Sequence, residues 1–278
     1  MKHLFLNLKR FDIPPEYGGV NRLAGAADWG ACIVRSTQQA LREFDAADAE
    51  FVQFFPEAHL LGAAGALAAD SPVQLGCQGV YRADTAPGGN FGAFTTNLPA
   101  SAAAALGCTY TLIGHCEERA DKNGVLTEGG VKNTAAVSRI LNQEVLRAQE
   151  RGMKVLYCIG ETSEEQPHWQ EVLGEQLRLG LAGADRSRVV IGYEPVWSIG
   201  PGKTPADAPY IRRIAQFVKH ETGGIDVVYG GGLKQDNAAM LAGIGEIDGG
   251  LIALTRFGGE IGFYPEEYIE IIRTYLGK

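Results

Sequence analysis

The chain has 278 residues, of which 45% are hydrophobic and 21% charged, and its formal net charge is -8 at pH 7. This acidic balance argues against a nucleic-acid or polyanion surface, because such surfaces usually show a basic patch. A small anionic substrate remains compatible, since it needs only a local positive field. The length would allow two average domains, but α/β barrels also reach this size as one domain.

The apolar segments and the cysteines together predict a cytoplasmic protein. No segment approaches the roughly 18 consecutive apolar residues of a membrane span. The five cysteines form no C-x-x-C pair and no metal-ligand spacing, so no metal site is expected. Their odd number and the absence of a signal segment are typical of a reducing cytoplasm.

Short apolar segments alternate with amphipathic ones along the whole chain. The predicted strands are residues 3–8, 50–55, 73–77, 110–114, 154–159, 188–193, 225–229 and 249–254. The predicted helices are residues 36–47, 62–70, 132–151, 168–181, 209–221, 236–241 and 265–275. Strands this apolar are buried on both faces, as in a parallel sheet that is covered by helices.

Eight such units fit a closed (β/α)8 barrel of about 250 residues better than an open, doubly wound sheet. An open nucleotide-binding sheet would need fewer strands and a Gly-rich turn after the first one. This chain has Lys9-Arg10-Phe11-Asp12 at that point. Because no linker or low-complexity tract divides the chain, we expect one α/β domain that spans residues 1–278.

Functional residues of such barrels lie at the carboxyl ends of the strands. In this chain those positions hold Asn7 and Lys9 after the first strand, His115 and Glu117 after the fourth, and Glu194 after the sixth. Gly-rich turns follow the last two strands. A carboxylate, an imidazole and a lysine on one face are the groups that proton transfer beside a carbonyl requires.

Five motifs, in collinear order, resemble the triosephosphate isomerase family. Residues 7–9 resemble the family's N-x-K motif, residues 112–117 its I-x-G-H-S-E motif and residues 158–161 its C-I-G-E motif. Residues 193–204 resemble its Y-E-P-V-W-A-I-G-T-G-K motif, and residues 228–232 its Y-G-G-S motif. The resemblance covers nearly the whole chain. It implies a homodimeric, cofactor-free TIM barrel of glycolysis and gluconeogenesis that interconverts dihydroxyacetone phosphate and glyceraldehyde 3-phosphate.

The resemblance also implies a role for each residue at the strand ends. Glu194 moves a proton between adjacent carbons through an enediolate, while neutral His115 donates a hydrogen bond to the carbonyl oxygen, a pairing for which this family is a standard example. Lys9 stabilises the enediolate and attracts the phosphate. Asn7 positions the oxygen, and Glu117 supports Lys9.

In this family, backbone N–H groups of a lid and of two Gly-containing turns hold the substrate phosphate. The corresponding positions here are Gly200, Gly231, Gly232, Ala253 and Leu254. The resemblance assigns Pro195, Val196, Trp197, Gly202 and Lys203 to the lid. A lid that closes over the substrate excludes water and protects a reactive intermediate.

The eighth loop departs from the family pattern, because Ala253 and Leu254 replace a Gly-Gly pair and the loop is longer. Either the N–H groups of these two residues still bind the phosphate, or the glycine pair has moved outward to Gly258 and Gly259 and the pocket is larger. In the second case Arg256 supplements the phosphate contacts, since a guanidinium suits a bidentate interaction with phosphate.

The third loop also departs from the pattern. Thr95 lies at the position that touches the active site of the partner in the family's dimers. Asn97 replaces an acidic residue, and Glu118 replaces an arginine. We therefore expect a homodimer with a rebuilt interface.

Two other functions stay open at this stage. The longer eighth loop favours a relative that isomerises a longer phosphorylated ketose, such as a tetrulose phosphate. A barrel without activity that serves as a binding protein is the third alternative. Such a scaffold has no physical need for Asn7, Lys9, His115 and Glu194 together.

Overall fold

The structure is a computed structural model that describes residues 1–200 and 203–278. Its eight strands are parallel and close into a barrel in chain order, with β1 also paired to β8. They are β1 (Lys2–Asn7), β2 (Ala49–Phe55), β3 (Val73–Cys77), β4 (Tyr110–Ile113), β5 (Lys154–Ile159), β6 (Val189–Tyr193), β7 (Val227–Tyr229) and β8 (Gly249–Ile252). The predicted TIM barrel is therefore confirmed, and each strand end lies within two residues of its prediction.

Helices follow the strands and cover the outside of the barrel. Those in the described residues are α1 (Trp29–Leu41), α2 (Glu57–Ala66), α3 (Ala100–Ala105), α4 (Cys116–Glu128), α5 (Thr134–Glu150), α6 (Trp169–Gly180), α7 (Ala208–Thr222), α8 (Ala238–Ala242) and α9 (Pro265–Leu276). None of the helices that the structure describes is both long and apolar enough to cross a bilayer.

The predicted bounds of the first two helices are wrong. Helix α1 begins at Trp29 because its buried face starts there, and the chain turns at Asp45, whose carboxylate accepts a hydrogen bond from the N–H of Ala47 at 2.8 Å. Helix α2 begins directly after Pro56 and ends before Leu67, which is extended. The sequence prediction missed α3, which is short, and α4, which buries none of its residues.

The hydrophobic core has two layers. One layer fills the space between the strands and the surrounding helices. The other fills the barrel interior with side chains that alternate along the strands: Phe5, Val52, Phe54, Tyr110, Leu112, Leu156, Cys158, Val190, Val228 and Leu251. Because protein interiors are close-packed, this inner layer is a rigid floor beneath the carboxyl ends of the strands.

A charged network closes the opposite, amino-terminal end of the barrel. The buried imidazole of His3 lies 2.6 Å from Glu50 and 2.9 Å from Asp226, and the hydroxyl of Tyr110 donates to Glu50 at 2.6 Å. Burial opposes the charge on Glu50, but the hydrogen bonds from His3 and Tyr110 outweigh it and lower the pKa of Glu50 to about 2. Burial also opposes the charge on His3, yet its hydrogen bonds to Glu50 and Asp226 raise its pKa above the ordinary value.

This network predicts a stability that depends on pH in two directions. The contribution of Glu50 is present above its unfolded pKa near 4.5 and is lost as the pH falls toward about 2. The contribution of His3 is present below its unfolded pKa near 6.5 and is lost as the pH rises through the raised folded value.

We expect the substitution His3→Gln to lower the free energy of unfolding by about 2 kcal/mol at pH 6, because it leaves buried Glu50 without its charged partner. Urea unfolding across the pH range measures this, and the difference from wild type should shrink at alkaline pH. The control is His220→Gln, since exposed His220 also contacts a carboxylate, that of Glu221. Equal losses in both variants would contradict the prediction.

Candidate active site

Glu194 is held almost entirely out of solvent at the carboxyl end of β6. Its side chain is 2% exposed, although it carries a carboxylate. One carboxylate oxygen accepts the backbone N–H of Cys116 at 2.8 Å, and the other lies 3.0 Å from Nε2 of His115. Burial raises the pKa of Glu194 above its ordinary value, and His115 and the N–H of Cys116 offset this only in part.

Two glycines provide the space that Glu194 occupies. A Cβ atom at Gly230 would lie 2.7 Å from Cγ of Glu194, which is closer than van der Waals contact permits. A Cβ atom at Gly160 would overlap the backbone carbonyl of Glu194. Both glycines are therefore required by close approach rather than by turn geometry.

The hydrogen bonds of His115 define its tautomer. The residue caps the amino end of α4, and its Nδ1 atom accepts the backbone N–H of Glu117 at 3.2 Å. A nitrogen that accepts a hydrogen bond carries no proton, so the proton of the neutral imidazole lies on Nε2. Nε2 is the nitrogen that faces Glu194, and it is therefore a hydrogen-bond donor at the barrel mouth.

Asn7, Lys9 and Glu117 meet beside this pair. The Nζ atom of Lys9 lies 2.6 Å from a carboxylate oxygen of Glu117, and the carboxamide oxygen of buried Asn7 accepts the N–H of Lys9 at 3.1 Å. Lys9 adopts a positive φ of 40°, a strained conformation for a residue with a side chain. Such strain is characteristic of sites where the surrounding structure fixes a functional side chain.

Gln78, at the carboxyl end of β3, is a residue of the site that the sequence analysis missed. Its carboxamide nitrogen lies within hydrogen-bond distance of the Asn7 side chain and of the carbonyl oxygens of Lys9 and Phe54, at 3.1 to 3.4 Å. It thereby fixes both Asn7 and the strained backbone at Lys9. The only signal in the sequence was its place directly after a predicted strand.

The amino-terminal part of the lid is anchored to Glu161. A single buried carboxylate oxygen of Glu161 accepts hydrogen bonds from the indole of Trp197 at 2.8 Å and from the hydroxyls of Tyr193 and Tyr210, both at 2.9 Å. Burial raises the pKa of Glu161 in spite of these three donors. The acidic run at residues 161–165 is typical of a solvated segment before a helix, and for Glu161 that interpretation of the sequence is wrong, because this residue is fully buried.

The remaining lid residues have simpler environments. Pro195 precedes a turn of 3₁₀ helix that contains Val196 and Trp197. Gly200 has a φ of 119°, and its carbonyl accepts the N–H of the exposed Lys203 at 3.3 Å. Gly202, assigned to the lid from the sequence, lies outside the described residues.

The turns after β7 and β8 lie side by side at the barrel mouth. The N–H of Leu233 in the first turn donates to the carbonyl of Leu251 in β8 at 2.9 Å. Within residues 1–200 and 203–278, the backbone N–H groups of four neighbouring residues have no hydrogen-bond acceptor: Gly231, Gly232, Ala253 and Leu254. Unpaired backbone N–H groups in two neighbouring turns are suited to bind an anion.

The lengthened eighth loop forms a small hairpin, in which Arg256 and Gly262 pair. The guanidinium of Arg256 forms an ion pair with Glu267 and lies 3.7 Å from the centre of the Tyr264 ring. Gly258 and Gly259 are exposed near the tip of the hairpin. Phosphate contact by Arg256, Gly258 or Gly259 stays a prediction, and Arg256 already has an anionic partner.

The positions that depart from the family pattern in the third loop and in α4 differ in their exposure and in their contacts. Thr95 and Asn97 are exposed. Glu118 accepts the N–H of Gly114 at 2.6 Å and forms an ion pair with Lys122, which also contacts Glu144. Burial, together with neighbouring Glu118, raises the pKa of Glu144 to about 9. The carboxylate of Glu118 thus has both a hydrogen-bond donor and a cationic partner within its own chain.

One group of three possible metal ligands lies close together in the part of the chain that the structure describes. It consists of His115, Cys116 and Glu194, whose ligand atoms lie within 4.8 Å of one another. Burial and then the nearby Glu194 raise the pKa of the Cys116 thiol.

The structure is a closed parallel barrel in which a buried carboxylate and an imidazole lie at the carboxyl ends of the strands. A family model described as triosephosphate isomerase matches residues 31–272. A triosephosphate isomerase from Marinobacter nauticus is 36% identical over 195 residues, which are 66% of this chain and 70% of the relative. One from Herminiimonas arsenicoxydans is 30% identical over 220 residues, covering 75% and 79%.

A solved structure agrees with the fold. The crystal structure of triosephosphate isomerase from Bartonella henselae matches with a TM-score of 0.72 and 23% sequence identity, over 99% of this chain and 98% of that one. The chain belongs to the triosephosphate isomerase family, and it is an isomerase.

The raised pKa of Glu194 predicts the acid side of the activity profile. If Glu194 is the base of the isomerisation, it must be deprotonated, so kcat/KM should fall as the pH falls through a midpoint above the ordinary carboxyl value of 4.5. Because a phosphate ester also titrates near pH 6, the rate is divided by the fraction of dianionic substrate. A corrected midpoint at or below 4.5 would contradict the burial argument.

Proposed function

We propose that this protein interconverts dihydroxyacetone phosphate and glyceraldehyde 3-phosphate through an enediolate. The observation that carries the proposal is the pairing of the buried Glu194 carboxylate with the Nε2–H of neutral His115. The Glu194 carboxylate is a base that solvent does not reach, and the Nε2–H group of His115 is a hydrogen-bond donor that needs no proton from solvent. The unpaired N–H groups of the last two turns add a place for the phosphate.

The proposed reaction starts when Glu194 leaves the N–H of Cys116 and takes a proton from the carbon beside the carbonyl. The Nε2–H group of His115 donates a hydrogen bond to the carbonyl oxygen, where negative charge develops. Lys9 stabilises that charge. Glu194 then returns the proton to the adjacent carbon, and His115 moves the hydroxyl proton between the two oxygens, so no proton or electron is gained or lost overall.

The lid supports the same proposal. Gly200 and the turns at Gly232 and Ala253 together hold the phosphate, and closure of residues 195–203 then excludes water from the enediolate. The indole of Trp197 donates to Glu161 in this structure, so a closure that displaces Trp197 would break this hydrogen bond. Asn7 and Glu117 keep Lys9 in place while this happens.

A second candidate reaction is the same proton transfer on a longer ketose phosphate, such as a tetrulose phosphate. The hairpin of the eighth loop favours it, because this insertion stands beside the turns that hold the phosphate. The chemistry at Glu194 and His115 would be unchanged, and only the depth of the pocket would differ.

We further propose that residues 1–278 act as one domain, that two copies associate, and that the enzyme works in the cytoplasm in glycolysis and gluconeogenesis. The support for association is the exposed tip of the third loop. There, the side chain of Phe91 is 89% exposed, with a positive φ of 58°. The stem below is fixed by the contact between Phe94 and Tyr81.

Activity is tested in a coupled assay with glyceraldehyde 3-phosphate and with tetrulose phosphates. We expect turnover of the triose, with kcat reduced at least 1000-fold in Glu194→Gln because an amide cannot accept the proton; a general base alone contributes about 10²–10⁴-fold. Preference for four-carbon substrates would support the second candidate. No isomerisation of any phosphosugar would leave only a binding role.

Association is tested by sedimentation at micromolar concentration. We expect wild type to be a dimer and Phe91→Asp to be a monomer, because a charge at the loop tip opposes burial between copies. Met240→Asp serves as control, since Met240 is also apolar and 41% exposed but lies on α8. A monomeric wild-type protein would refute the proposal.

A further inference from the structure

Lys234 lies in the turn after β7, two residues beyond Gly232, and it plays no part in the proton transfer. Its side chain is half-buried and folds back along the turn. A Cβ atom built on Gly232 would lie 3.4 Å from Cε of Lys234. The end of the Lys234 side chain therefore lies close to Gly232, one of the two residues of this turn whose N–H group is unpaired.

Lys234 also reaches the neighbouring turn. Its Nζ atom lies 4.3 Å from the centre of the Phe257 ring, which belongs to the hairpin of the eighth loop. An ammonium over an aromatic face is held by the ring quadrupole. Phe257 is 52% exposed, so it covers the ammonium without closing the site.

The backbone beneath Lys234 is firmly fixed. The N–H of Lys234 donates to the side chain of Asn237 at 2.8 Å, and Asn237 in turn donates to the carbonyl of Gly232 at 2.9 Å. The hydrogen bond between Leu233 and Leu251 ties the same turn to β8. The backbone from which the Lys234 side chain extends is thus tied to the turns after both β7 and β8.

Two other basic residues at the mouth already have anionic partners. Lys9 is paired with Glu117, and Arg256 with Glu267. For Lys234, no ion pair is found with any residue in the ranges 1–200 and 203–278. A half-buried ammonium without a carboxylate, beside unpaired N–H groups, is a site for an anion from outside the chain.

We propose that Lys234 binds the phosphate of the substrate directly and that Phe257 is a positioning residue, which holds the ammonium over the turns at Gly232 and Ala253. This inference rests on the proposed function, because it assigns a further contact to the same substrate. The four N–H groups are neutral donors, whereas Lys234 brings a full positive charge to a dianion. The site thus selects phosphate esters over uncharged sugars by a side chain as well as by backbone.

The test measures the affinity for inorganic phosphate by titration calorimetry, which needs no turnover. We expect Lys234→Met to weaken phosphate binding by about 10- to 100-fold, the range for loss of a charge-assisted hydrogen bond. Lys234→Arg should retain most of the affinity. The control is Lys278→Met, because Lys278 also lies over a phenyl ring, that of Phe44, at 5.2 Å.

The role of Phe257 is tested in the same assay. We expect Phe257→Ala to weaken phosphate binding by about 2- to 5-fold, because cation–π contacts at exposed sites are modest. Phe257→Tyr should keep the wild-type affinity for phosphate. In Lys234→Met the further change Phe257→Ala should then have no effect, which a merely structural role for the ring would not predict.

The outcomes separate this inference from the proposed function. Unchanged phosphate affinity in Lys234→Met, or no phosphate binding by wild type at millimolar concentration, would overturn the role of Lys234. If Lys234→Met loses affinity for phosphate while the wild-type protein isomerises no phosphosugar, the anion site is supported and the proposed isomerase substrate is refuted. With triose phosphate as substrate, KM should rise in Lys234→Met far more than kcat falls.

Discussion

A buried carboxylate at the barrel mouth is the constraint on which the rest of the site depends. Glu194 loses nearly all its water, and a charge in that position must be compensated by the protein. The compensation comes from a backbone N–H of Cys116 and from Nε2 of His115, which follow a different strand. Space comes from Gly160 and Gly230. These groups meet only if β4, β5, β6 and β7 keep their register, so the whole barrel determines the geometry of one carboxylate.

The two ends of the barrel treat buried carboxylates in opposite ways. At the amino-terminal end, Glu50 has an imidazole and a phenol as partners, and its pKa falls to about 2. At the carboxyl end, Glu194 has fewer donors than its burial demands, and its pKa rises. The first arrangement stabilises the anionic form of Glu50, which makes this carboxylate a weak base. In the proposed reaction, the second arrangement keeps a carboxylate ready to accept a proton, because its negative charge is incompletely compensated.

Much of this architecture could be predicted from the sequence, because buried parallel strands are continuous apolar runs. Helix α4 escaped prediction since it buries no residue and therefore shows no apolar period. The proposed catalytic pair, Glu194 and His115, could be assigned because it lies in motifs that resemble a family. Gln78 and Lys234 could not, because what distinguishes them is which neighbours they have, or lack, across separate loops. Such contacts leave no pattern within a single segment of chain.

The eighth loop shows how the barrel mouth can be altered while the residues at the strand ends stay in place. Residues such as Glu194 are fixed by strand register, so they cannot move without disturbing the barrel. The hairpin lies beyond the end of β8 and is free of that constraint. Its insertion brings Phe257 over Lys234 and pairs Arg256 with Glu267. The inserted loop therefore places an aromatic ring against a lysine of the seventh loop.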